Sequence, residues 1–243
     1  MNKKMIKTIA SITCGLGIVG LISTTSTSCN NHSWPKNAIP KEYLNISNGI
    51  LHGFKDTFIP SEHINDGYDT LSIPKDVITI AQSAFDFEDH TQLPSFVRNI
   101  MFEDNSKINS IEHYAFDFGS YTPDKIVLPE GLTHMDSFYS YSYGMSTIVF
   151  PSTLNEIPNH FLFDGENSWI SNIIFNNIDL SNNHNWLKKI SSETFSSDSL
   201  ISQGTIRVSG KSNSSSEEVL NYLIEHTKDP QTQESPFRLW TAL

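Results

Sequence analysis

The chain has 243 residues, 37% of them hydrophobic, 11% aromatic and 18% charged, with a formal charge of −11. That length allows one or two domains, and a modest apolar fraction alongside abundant Asn, Ser, Thr and Asp favours strands and loops over a helix bundle. Lys3, Lys4 and Lys7 are the only charges before Cys29, so the chain from Cys29 onward carries 13 basic against 27 acidic residues. That balance argues against nucleic acid as a partner, because phosphates are bound by cationic surface that displaces their counterions.

The three N-terminal lysines are followed by an uncharged run from Ile9 to Ile22. This is the charged, then apolar, layout of an export signal over residues 1–28, and the run is short for a stable membrane span. Small residues from Ser23 to Ser28 lead into Cys29, which resembles a bacterial lipoprotein cleavage site, although Ser26 stands where that family usually has Leu. The resemblance implies that Cys29 becomes the acylated first residue, with residues 29–42 as a tether to the extracellular face of the cell membrane. The alternative is an uncleaved signal anchor in which Cys29 is an ordinary thiol. In the lipid reading Cys14 leaves with the signal and Cys29 is blocked, so no disulfide is expected. The glycines of Gly15-Leu16-Gly17-Ile18-Val19-Gly20 spell a dinucleotide-binding pattern, which is rejected because it lies inside the apolar run and not between a strand and a helix.

From about residue 43 to 210 one phrase recurs: a β-branched triplet, often a Pro, a few polar residues, then apolar residues and an aromatic. Its copies begin at Leu71-Ser72-Ile73, Ile100-Met101-Phe102, Ile126-Val127-Leu128, Ile148-Val149-Phe150 and Ile173-Ile174-Phe175, with a last strand at Ile206-Arg207-Val208. The third residues of these triplets are 29, 26, 22, 25 and 33 positions apart, mostly within the range of leucine-rich repeats. Seven residues separate that marker from a second apolar anchor in three copies, Ile73 to Ile80, Leu128 to Met135 and Phe150 to Ile157. No copy can bury its apolar side alone, so the expected fold is mainly β, a leucine-rich-repeat solenoid of short parallel strands. The prolines fit where strands end and no ladder hydrogen bond is lost.

Residues 211–243 are expected to cap the open end. Val219, Leu220, Leu223 and Ile224 have helical spacing, Ser216 is positioned as N-cap, and Glu217 and Glu218 lie in the first turn, which predicts a helix over about 216–226. Phe237, Leu239 and Trp240 are expected to dock back onto it.

The phrase resembles that of the BspA-like leucine-rich-repeat family, carried best by Ile73-Pro74, Val77-Ile78-Thr79-Ile80 and Ala84-Phe85. The lead-in from Ile46 to Lys55 is similar to the opening segment of such domains in mollicute surface lipoproteins. Irregular spacing, no Pro after Phe102 or Phe175, and no Ala-Phe in the third and fourth copies are departures from the family pattern. The resemblance implies extracellular recognition of a protein or other macromolecule, often adhesion, without catalysis.

No catalytic, cofactor or metal site is expected from the residues. Asp117-Phe118-Gly119 spells a kinase triplet without its companions, and it is better explained by the repeat, since Ala115-Phe116-Asp117-Phe118 duplicates Ala84-Phe85-Asp86-Phe87. The nine His residues lack zinc-ligand spacing, and Asp86, Glu88, Asp89 and His90 lack the order of a calcium loop. Tyr139, Tyr141 and Tyr143 alternate in an aromatic run and are a candidate partner-binding surface. The competing reading is that one or two of these rings fill the repeat's loop position. Three functions stay open: a membrane-tethered binding or adhesion module, a self-associating surface coat, and a degenerate hydrolase or solute-binding lipoprotein, which would need a deep pocket.

Overall fold

The computed structural model describes residues 34–85, 93–116, 123–136, 146–158, 170–182, 186–194 and 204–243. The β-branched triplets form strands because alternate residues face opposite sides, and each triplet offers two apolar side chains to one of them. They are β3 (Thr70–Ile73), β5 (Asn99–Phe102), β7 (Lys125–Val127), β9 (Thr147–Phe150), β10 (Asn172–Asn176) and β11 (Thr205–Ser209). These six lie side by side in chain order as one parallel sheet. Leu71 pairs with Ile100, Ile100 with Ile126, Ile126 with Ile148, Ile148 with Ile173 and Ile173 with Ile206. All six are fully buried. A second inward column passes through Ile73, Leu128, Phe150 and Phe175, so the chain is a solenoid with a continuous apolar interior.

The second anchors form a facing sheet. β4 (Thr79–Ile80), β6 (Ser110–Ile111) and β8 (His134–Met135) pair in parallel, Ile80 against Ile111 and Ile111 against Met135. Corners between the sheets begin at proline: the Pro74 carbonyl accepts from Val77 N–H and the Pro129 carbonyl from Leu132 N–H. The second copy lacks this proline and has two more residues before Ile111. Glu103 N–H still reaches the Ile73 carbonyl and Lys107 N–H the Lys75 carbonyl, so the extra length is taken up between them, where Asn105 has φ 59°. Asn tolerates that left-handed turn better than most residues. Ile157 and Ile190 are buried as expected, but neither lies in a strand.

Aromatic rings bridge successive coils. Phe85 stacks on Phe116 with centroids 5.5 Å apart, and Phe150 on Phe175 at 5.7 Å. Trp186 is fully buried beside Phe150 and Phe175, and its indole N–H donates to the Pro151 carbonyl at 3.0 Å. The insertion in the fifth copy therefore supplies part of the core. Phe138, Phe161 and Phe195 lie outside the described residues.

At the N-terminal end, β1 (Leu44–Ser47) and β2 (Ile50–Phe54) form an antiparallel hairpin, and β2 continues in parallel into β4. Positive φ at both Asn48 and Gly49, 51° and 77°, gives the tight turn whose twist matches its strands. The tether assigned to residues 29–42 needs correction, because Ala38 bridges to Thr70 and both Ala38 and Ile39 are buried. Folded structure thus begins well before residue 43.

At the other end, α1 (Ser216–His226) buries Val219, Leu220 and Leu223 and packs against β11. Its N-cap is Ser215 and not Ser216: the Ser215 hydroxyl accepts from Glu218 N–H, and the Glu218 carboxylate accepts from Ser215 N–H. Phe237 and Trp240 dock as expected, whereas Leu239 is 48% exposed. The last residues add a strand that the sequence reading does not anticipate, β12 (Thr241–Ala242), parallel to β11. Gly204 permits this, since a Cβ there would lie 2.6 Å from the Trp240 ring.

Candidate functional site

The same alternation that fills the interior dictates what the seven-stranded sheet shows outside. Between the two inward columns lies a row of middle residues, in which Ser72 pairs with Met101, Val127 with Val149, Val149 with Ile174 and Ile174 with Arg207. The pairing of Ile100 with Ile126 sets Met101 beside Val127. Four consecutive strands thus carry an apolar residue on the outward face. Met101 is 42% exposed, Val127 and Ile174 are half-buried, and Val149 is buried. A parallel outward row at the strand starts is polar, and inter-coil hydrogen bonds tie it together. Asn172 donates to the Ser146 carbonyl at 3.1 Å, and Thr205 donates to Asn172 Oδ1 at 2.5 Å.

Where β5 and β7 end, the outward face dips into a depression of about 510 Å³ lined by Met101, Val127, Pro129, Glu103, Asp104 and Glu130. Its lining combines apolar side chains with three carboxylates. Two of those carboxylates also hold neighbouring corners in place. Glu103 accepts from Lys75 N–H at 2.8 Å. Glu130 accepts from the Ser152 hydroxyl at 2.9 Å and from the Asn177 amide at 3.0 Å. On the adjacent corner Lys107 and Asp76 lie 3.0 Å apart, and the hydrogen bond and charge of that lysine hold Asp76 below its ordinary carboxylate range. The pair is well exposed, so water screens most of its attraction. The arrangement offers dispersion contacts framed by negative charge.

The residues singled out from sequence as site candidates, Cys29, Tyr139, Tyr141 and Tyr143, lie outside the described residues, as do Asp86 to His90. Sequence reading overlooked the outward row, although it could have been found from the middle letters of the triplets. His63 contacts Asp66 at 2.7 Å and His113 contacts Asp136 at 3.3 Å. Among the described residues no group of three or more His, Cys, Asp or Glu is placed to hold a metal, and no helix is long and apolar enough to cross a membrane. Comparison of the chain with protein-family models, with curated proteins and with solved structures gives no match.

Proposed function

We propose that this protein is a membrane-tethered extracellular binding module of the BspA-like leucine-rich-repeat type, recognising a protein or other macromolecule through the outward face of its seven-stranded sheet. The observation that supports this most directly is the apolar outward row from Met101 to Ile174, running across four strands beside an anionic depression. A rigid sheet face of that kind gives a partner a fixed apolar centre with a polar border, which is how recognition surfaces gain affinity without ordering loops. The reading includes neither catalysis nor a cofactor. The tether is acylated Cys29, following an export signal over residues 1–28, and two or more acyl chains would give stable attachment. Conversion of Cys29→Ser should move the protein from the detergent phase to the aqueous phase in phase partitioning. Binding is tested by capturing partners from membrane and matrix extracts on immobilised protein. Met101→Glu should abolish capture of any specific partner without changing the melting temperature, and Leu239→Glu, at the far cap, should not. Equal capture by both variants would remove the sheet face from the proposal.

A further inference from the structure

We infer that the N-terminal end face of the solenoid is a lipid-contacting surface, seated on the bilayer through Ile59 and Ile64. The inference rests on the lipid-anchor reading of Cys29. Folded structure begins close behind that cysteine: the Trp34 indole donates to the Ile39 carbonyl at 3.2 Å, Ala38 N–H donates to the Pro35 carbonyl, and Ile39 is fully buried. Five residue steps separate Cys29 from Trp34, a reach of at most about 18 Å. The stack from β3 to β12 is six strand spacings, about 29 Å. An acyl group on Cys29 therefore brings the N-terminal end, and not the helical cap, to the headgroups.

That end carries apolar side chains fixed in an outward position. Ile59 is 46% exposed and Ile64 is 62% exposed, and they bracket the one-turn 3₁₀ segment Pro60–Glu62 between β2 and β3. Phe58 beside Ile59 is buried and His63 beside Ile64 is largely covered, and both are held by rings. Phe58 lies 5.0 Å from Tyr43 and is stacked on His63 at 5.0 Å, and His63 is bonded to Asp66. Phe58 and His63 thus take the inner positions of this segment and leave the two isoleucines exposed. Residues 34–69 hold Lys36, Lys41 and Lys55 against Glu42, Asp56, Glu62, Asp66 and Asp69, so the contact rests on apolar burial and the acyl tether and not on attraction to anionic headgroups. Paired exposed isoleucines on an acyl-tethered end add apolar area that can be buried at the headgroup boundary.

The test uses the acylated chain purified from cells and reconstituted in phosphatidylcholine vesicles, with an environment-sensitive fluorophore on Ile64→Cys or, as the far-end control, on Leu239→Cys. Both positions are exposed, so labelling should leave the melting temperature unchanged. Brominated phosphatidylcholine should quench the probe at position 64 at least threefold more than the probe at position 239. If the protein floats with the vesicles but both probes respond equally, or neither does, the inference is overturned while the anchor stands. Quenching that follows protein concentration in place of brominated lipid would show a second copy covering the face, and would also overturn it. Failure to float at all would remove the anchor reading, and this inference with it.

Discussion

Ile80 has no exposed surface and stands in register between Leu51 and Ile111, with coils on either side. Ile80→Asp places an ionised carboxylate in that column with no partner able to repay its lost hydration. Such changes fall in the rare class costing more than about 4 kcal/mol, so the variant should lose its cooperative melt by circular dichroism. A single transition at the wild-type temperature would contradict the buried register. Trp186 separates two other effects at one position. Trp186→Ala opens a cavity beside Phe150 and Phe175, which costs about 3–5 kcal/mol. Trp186→Phe keeps most of the ring but strands the Pro151 carbonyl, a loss of about 1–3 kcal/mol. Denaturant unfolding should rank the two variants in that order. Equal losses would mean that the hydrogen bond, and not the filled volume, is what the site needs.

Strands and corners were the most legible elements, because a triplet with two inward apolar residues and a following proline states its own geometry. The helix over 216–226 is legible from the spacing of Val219, Leu220 and Leu223, but its N-cap lies one residue earlier than expected within a run of serines. Ser215 followed three positions later by Glu218 is the reciprocal cap signature, and that pattern, not the hydroxyl alone, singles out the N-cap. Ser216 does other work: it accepts from Val208 N–H at 3.1 Å and donates to the Leu243 carbonyl at 2.5 Å, clipping β11 to the last residues. The two serines should therefore fail differently. Ser215→Ala should lower stability by about 0.5–2 kcal/mol and reduce helical signal. Ser216→Ala should leave helical signal intact and speed amide exchange at Thr241 and Leu243. β12 was not legible, since Thr241 and Ala242 form no apolar triplet; its pairing is made by backbone bonds to the Gly204 and Ile206 carbonyls, which depend on a glycine 37 residues away. The outward row was legible in principle as the middle residues Met101, Val127, Val149 and Ile174 of aligned triplets, and it went unread because attention fell on the inward letters on either side of them.

As a whole the molecule is a stack in which most contacts join one coil to the next, so its stability should be distributed as nearest-neighbour terms and not as one all-or-none core. Ile126 sits in the middle of the stack between Ile100 and Ile148, and Trp240 sits at the end against Gly204 and Phe237. Truncating either residue removes a buried side chain of the main core, at a cost of about 2–5 kcal/mol each. In a single cooperative globule the two variants would raise amide exchange everywhere by similar amounts. In a stack they should not. Ile126→Ala weakens interfaces on both sides and should accelerate exchange in β5, β7 and β9 together, because the coils beyond the defect lose a neighbour in each direction. Trp240→Ala should accelerate exchange in β11, β12 and α1 and leave β3 and β5 near their original rates, because peeling the cap exposes only the coil beneath it. Exchange followed by mass spectrometry distinguishes these patterns directly. Were Trp240→Ala to speed β3 as much as β11, loss of the cap would be felt at the far end, and coupling along the stack would have to be strong enough to make all coils open as one.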